Sequence, residues 1–233
     1  MFVLIHSPLV GPITWAPVAF ELRQKGIDVL VPELPRDIQS NRPYWEQHAG
    51  AIARALRPVA PDQSLILIGH SGAGLLLPAI REITGRSVTG YVFADAGIPE
   101  DGKSRFDLMW REEPEIAAQR RQSLAAGERF PNWTDADLRD VIPNAELRQG
   151  VLADLRPQPP AFFAEPIPVF AGWPDAPCAY LKFNPVYAAP AERARKAGWA
   201  YAEIDAGHFH MLVDPNAVAN ALVNLSKRMG LAV

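Results

Sequence analysis

Ser71 sits in the stretch of this chain that most clearly prepares a side chain for chemistry. The segment Leu65-Ile-Leu-Ile-Gly-His-Ser71-Gly-Ala-Gly74 passes from apolar strand formers into small residues. The pattern predicts a buried strand over Ser64–Gly69, a sharp turn, and a helix from about Gly72 to Thr84. Such a turn strains the serine backbone and lifts its hydroxyl clear of the sheet, provided the residues two before and two after it are small. Gly69 and Ala73 meet that condition. A helix N-terminus next to the hydroxyl also directs backbone N–H groups and a positive dipole end at any negative charge that develops there. A serine placed in this way is a nucleophile that needs a base, and a neutral imidazole can take its proton and later return it to a leaving group.

The elements that would hold this serine alternate along the N-terminal half. Phe2–His6 reads as a strand, Trp15–Lys25 as a helix stopped by Gly26, and Ile27–Val31 as a strand closed by Pro32. A helix starts near Asn41–Pro43 and runs to about Arg57, and Val88–Ala94 is a further strand. Apolar runs without alternation belong to strands buried on both faces, as in a parallel sheet covered by helices. The alternation stops at about Ile98. Residues 100–162 hold charged helical stretches over Glu115–Ala126, Thr134–Val141 and Ala145–Leu155, but no strand pattern. After a proline-rich return, Ile167–Gly172 reads as a strand, Ala189–Ala197 as a helix and Trp199–Ile204 as a strand. A closing helix follows over Asp214–Met229, with Asp214 as N-cap and Pro215 in its first turn. The expected fold is α/β: a mostly parallel sheet of about six strands with helices on both faces. The core would be 1–99 and 163–233, interrupted by a helical cap insertion over 100–162.

Composition narrows the function classes. A net charge of −3 with no basic run argues against nucleic acid. The single cysteine, Cys178, cannot form an internal disulfide and is expected to be a small buried residue. The chain opens directly on a strand pattern and has no apolar stretch of bilayer length, so a soluble cytoplasmic protein is expected, monomeric or homodimeric, with a small molecule as its partner and no membrane association. His208 and His210 have no matching ligand cluster, and the glycines lack the spacing of a nucleotide fingerprint, so no metal or cofactor is expected.

The Gly69-His-Ser71-Gly-Ala73 turn resembles the nucleophile elbow of the α/β-hydrolase superfamily, Gly-x-Ser-x-Gly, with Ala73 in place of the last glycine. The order of parts along nearly the whole chain is similar to that of the esterase-like and hydroxynitrile-lyase-like members. The resemblance implies a triad in the order nucleophile, acid, histidine. His208, in Ala206-Gly-His-Phe-His210, falls where that family carries its catalytic histidine, with His210 as the alternate. Pro168-Val-Phe-Ala-Gly-Trp-Pro-Asp175 resembles the family strand that leads to its acid, so Asp175 is assigned, with Asp95 at the end of Phe93-Ala-Asp95 as the alternate. His70 is expected to turn away from the site, and His48 to be exposed on its helix. The loop His6-Ser7-Pro8-Leu9 resembles the family's oxyanion loop. Gly72 supplies one N–H, but the expected second donor is Pro8, which has none. Leu9 or the Ser7 hydroxyl is left to replace it, and the resemblance then implies a slow or unusual member of the class. Ser7, Pro8, Trp15, Trp110, Trp133 and Trp173 are the expected substrate contacts, among the aromatic residues of the loops and the insert.

These features imply a serine hydrolase for a small apolar carboxylic ester, thioester or lactone. Two other readings stay open at this point: lyase or other proton-transfer chemistry in the same pocket, and a non-catalytic small-molecule binding protein on the same scaffold.

Overall fold

A computed structural model describes residues 1–39 and 41–232 of the 233. The elements in chain order are strand β1 (Phe2–Ile5), helix α1 (Ala16–Gln24), β2 (Val29–Leu30), α2 (Tyr44–Ala55), β3 (Leu65–His70), α3 (Leu77–Thr84), β4 (Val88–Ala94), β5 (Lys103–Ser104), α4 (Arg105–Glu112) and α5 (Pro114–Ala125). They continue with α6 (Asp135–Leu138), α7 (Ala145–Ala153), α8 (Pro160–Ala164), β6 (Pro166–Ile167), β7 (Cys178–Lys182), α9 (Ala188–Lys196), β8 (Ala200–Glu203), α10 (His210–Val213) and α11 (Pro215–Arg228).

Six strands form one sheet in the order β2-β1-β3-β4-β7-β8, and every pairing in it is parallel. The expected fold class is therefore the observed one. All residues of β1 and β3 are buried, which is what a strand covered on both faces requires of an unbroken apolar run. Two apolar clusters lie on opposite faces. One gathers Ile5, Leu67, Tyr91 and Tyr180 with α2, α3 and α9. The other gathers Leu4, Ile68, Val92 and Leu181 with α1 and α11. Successive residues of each strand feed alternate clusters, as strand geometry dictates.

Between β4 and β7 the chain leaves the sheet and builds α4 to α8. Helix α4 was not evident in the sequence pattern. A capping box fixes its start: the Ser104 hydroxyl accepts from Asp107 N, and the Asp107 carboxylate accepts from Ser104 N. The helix expected over Thr134–Val141 forms only as α6, because its Thr134–Asp137 capping box nucleates a single turn that Pro143 soon ends.

The strand expected over Ile167–Gly172 is overturned. Only Pro166–Ile167 is a strand, and it pairs with β5 in a separate two-stranded ribbon. The sheet takes Cys178–Lys182 beside β4 instead, in the register Tyr91↔Cys178 to Ala94↔Leu181. Pro168 removes a ladder donor from the expected run. Cys178 is thus a buried residue at the start of a core strand.

Candidate active site

Two non-glycine residues in the described chain have a left-handed backbone, Ser71 (φ 56°) and Asp95 (φ 45°). An L side chain is rarely held there, and such strain concentrates at functional sites. Ser71 follows the last residue of β3 and Asp95 follows the last residue of β4. The final β3–β4 register pair is His70↔Ala94, so the strained residues stand side by side at the carboxyl edge of the sheet. Ligands of open parallel sheets bind at that edge.

The tight packing that shapes the serine turn falls on Gly69 and Gly74. A Cβ on Gly69 would lie 2.9 Å from Gly74 N, and one on Gly74 would lie 2.5 Å from Gly97 O. Ala73 is fully buried and fits, which explains how the last glycine of the motif is dispensable here. After Ser71 the chain makes a 3-10 turn to Leu76 before α3 begins, so the Gly72 N–H lies in a first turn that offers it no intrahelical partner. Gly74→Ala is expected to destabilise the fold by about 1–3 kcal/mol through backbone displacement, read as a lower urea midpoint at unchanged m.

Asp95, and not Asp175, braces the histidine. His208 Nδ1 lies 2.6 Å from Asp95 Oδ2. The other oxygen of that fully buried carboxylate accepts from the N–H groups of Phe183 and Asn184, at 2.9 and 3.0 Å. With Nδ1–H donated to the carboxylate, Nε2 is left free to accept a proton. Asp175 precedes β7 and so falls at the amino edge of the sheet, the opposite end from Ser71. There it accepts from Tyr91 Oη at 2.6 Å and pairs with Arg81 Nε at 2.9 Å. Because 178–182 is the sheet strand, Asp175 lies before it instead of after it.

Ser71 and His208 line the same cavity, of about 340 Å³. Ser71 Oγ hydrogen bonds to Tyr187 Oη at 3.1 Å, and no bond joins it to His208 among the described residues. Catalytic hydrogen bonds often tighten only when substrate is bound. The Tyr187 ring stacks on the His208 ring with centroids 5.1 Å apart and planes 7° apart. Burial raises the Tyr187 phenol well above its ordinary value. His210 is not part of this group: it sits at the start of α10 with its ring 5.8 Å from that of Phe183.

Two histidines depart from expectation. His70 is fully buried but faces the site: its Nε2 lies 3.0 Å from the His208 carbonyl and its ring centroid 4.4 Å from that of His208. Burial holds its pKa well below the ordinary range, so the ring is neutral. His48 is buried against Phe162, not exposed, and burial holds it near 3.

The loop after β1 covers the serine from the other side. A Cβ on Gly72 would be 3.7 Å from both Pro8 Cδ and Ser7 Oγ. His6 fixes this loop: its Nδ1 bonds the Ser7 carbonyl at 2.9 Å, and its Nε2 accepts from Leu34 N at 3.2 Å. Burial lowers His6 to about 4, consistent with a ring that donates at one nitrogen and accepts at the other. The Leu9 N–H is directed at Ser7 Oγ, at 3.4 Å, and so is partly occupied within the loop.

Of the expected substrate contacts, Ser7, Pro8 and Trp133 line the cavity. Trp15 is fully buried with its ring edge-on to His70, Trp110 is largely exposed, and Trp173 packs beneath the sheet on Tyr91 and Phe93. Sequence reasoning missed Tyr187 and Arg105. Arg105 is buried at the cavity wall, where Nη1 donates to the Phe162 carbonyl at 3.0 Å and the guanidinium lies 3.7 Å over the Phe162 ring. Burial lowers it to about 10. Tyr187 lies five residues beyond the end of β7, and that position becomes informative only when β7 is placed at 178–182.

The fold and this strained serine turn define the class, and residues 2–221 match the Alpha/beta hydrolase family: the chain belongs to it. A carbendazim hydrolyzing esterase of Nocardioides sp. (strain SG-4G) is 24% identical over 249 residues, covering 96% of this chain and 98% of the relative. Among solved structures, an extracellular alpha/beta-hydrolase from a Paenibacillus species, described as sharing structural and functional homology with tobacco salicylic acid binding protein 2, superposes with a TM-score of 0.78. It is 22% identical and covers 96% of this chain and 98% of that one. A pyrethroid hydrolase from Sphingobium faniae JZ-2 superposes with a TM-score of 0.70, at 19% identity, covering 97% and 96%. No helix among the described residues is long and apolar enough to cross a membrane.

Proposed function

We propose that this protein is a serine hydrolase for a small, largely apolar carboxylic ester, thioester or lactone. Ser71 is its nucleophile, His208 its base and Asp95 its orienting acid. The observation that carries the reading is the 2.6 Å His208–Asp95 contact beside a strained serine that opens into the same cavity. In the reaction, Ser71 Oγ turns from Tyr187 to His208 Nε2, gives up its proton there and attacks the carbonyl carbon. The imidazolium, steadied by Asp95, then protonates the leaving oxygen or sulfur. A water deprotonated by the same nitrogen releases the acid and restores Ser71. The Gly72 N–H faces the developing oxyanion. The family membership and the printed activity of the Nocardioides relative support the choice of ester-type substrates. Leu9, Phe130, Trp133 and Phe163 on the cavity wall favour an apolar or aromatic acyl group, and the α4–α8 segment acts as the cap that closes over it.

A fluorophosphonate tests the reading. Stoichiometric phosphonylation mapped by mass spectrometry to Ser71, together with turnover of short p-nitrophenyl esters, is the expected result. An unlabelled Ser71 in folded protein that still binds small apolar ligands overturns it. Labelling without turnover of any ester, thioester or lactone moves the assignment to lyase-type chemistry.

A further inference from the structure

The serine turn provides one oxyanion donor, Gly72, and the loop opposite presents proline where a second N–H would stand. Losing one such donor ordinarily costs about 10²–10³-fold in rate, so a working hydrolase of this geometry has reason to recruit another group. Leu9 is a poor candidate, because its N–H is directed at Ser7 Oγ within its own loop. The geometry points to the Tyr187 hydroxyl as a catalytic residue that donates a hydrogen bond to the substrate's carbonyl oxygen as that oxygen becomes an oxyanion, in place of the N–H that Pro8 lacks. This deepens the hydrolase reading and rests on it.

Three features converge on Tyr187. Its Oη is already 3.1 Å from the attacking atom. An oxygen on the carbon that Ser71 attacks lies only two bonds from Oγ, so rotation of the O–H bond alone redirects the hydrogen bond from one oxygen to the other while the ring stays in place. Its ring is fixed by parallel stacking on His208 and by its place in the 3-10 turn Pro185–Tyr187, whose start is capped by Asn184 Oδ1 accepting from Val186 N at 2.9 Å. The same loop is anchored to the acid, because Asp95 Oδ1 accepts from Phe183 N and Asn184 N. Tyr187 is therefore preorganised by the group that orients the base, and its donor needs no reorganisation from water. The phenol stays protonated throughout, since its burial opposes ionisation. It donates a hydrogen bond and takes no proton from serine, so the proton inventory remains that of Ser71 and His208.

Tyr187→Phe removes the hydroxyl and keeps the ring stacked on His208. Its kcat on p-nitrophenyl butyrate is expected to fall about 10²-fold with KM little changed. A trifluoromethyl ketone of matching chain length, which forms a hemiketal oxyanion on Ser71 and has no leaving group, is expected to lose affinity by a similar factor. A merely structural role for Tyr187 would not move the ketone's affinity in step with kcat. Wild-type rates in Tyr187→Phe, or faster ones as from a phenol that only restrains Ser71, overturn the proposal. So does a fall in kcat with the ketone's affinity intact, which places the hydroxyl on the leaving group instead. Wild-type protein that neither hydrolyses the ester nor binds the ketone overturns the hydrolase reading itself, and the Tyr187 role with it.

Discussion

Replacing Ser71 with alanine is expected to lower kcat by about 10⁶-fold, because nucleophile and base act as a unit and the loss of either removes nearly all of their joint effect. The folded state should survive the change. Ser71 adopts φ 56°, and alanine at that backbone carries a similar steric cost, so the thermal midpoint should move little. Its hydroxyl is bonded only at the cavity, to Tyr187. The measurement is single-turnover kinetics on a p-nitrophenyl ester alongside thermal unfolding. Residual turnover within tenfold of wild type, in protein shown by mass spectrometry to carry alanine at 71, would mean that another group performs the chemistry. His208→Ala should fall into the same range, and the double variant should be hardly worse than either single one.

The second large effect separates two aspartates. Asp95→Asn is expected to reduce kcat by about 10⁴-fold. The amide preserves shape, but its NH₂ or its single oxygen must face His208 Nδ1, and the competing demand from Phe183 N and Asn184 N for an acceptor favours turning the NH₂ toward the ring. That orientation makes Nδ1 the acceptor and places the proton on Nε2, the wrong tautomer for a base. Asp175→Asn should leave kcat unchanged and weaken the fold by about 1–2 kcal/mol, through the lost ion pair with Arg81 and a weaker bond from Tyr91 Oη. Urea denaturation and steady-state kinetics on the two variants give a clean contrast. The reverse pattern, an inactive Asp175→Asn beside an active Asp95→Asn, would restore the acid that sequence order suggests.

Why the sequence order points to Asp175 when Asp95 is the carboxylate that meets His208 is a matter of tertiary pairing. Val169-Phe-Ala171 has the apolar, β-favouring composition of a buried strand, whereas Cys178-Ala-Tyr-Leu-Lys begins directly after Pro177 and ends in a charged residue. Strand formation depends on what lies alongside, more than on composition. The free edge of β4 accepts 178–182, and Pro168 at the start of the other run counts against it in a central ladder. By contrast, the serine turn, β1, β3, β4 and the histidine loop were legible, because each is dictated locally by apolar runs that end in small residues. His70 and His48 were misjudged for a related reason. Helical or strand position does not reveal which neighbours a distant segment brings, and His48 is covered by Phe162, more than a hundred residues away. Arg105 and Tyr187 gave no sequence signal of their own, since a lone arginine and a lone tyrosine acquire meaning only from the cavity they face.

Ser71, the proposed nucleophile, and Asp95, its proposed orienting carboxylate, leave the sheet from adjoining strands, with only the 23 residues 72–94 between them. The spacing between them is thus set by one ladder of main-chain bonds, within a βαβ unit that completes itself before the long excursion of α4–α8 begins. Had the acid followed β7, that whole excursion would have stood between the two groups. As built, insertions, deletions and rearrangements in the excursion can reshape the chamber above the serine while leaving that spacing untouched, so the molecule is free to change what it admits independently of how it reacts.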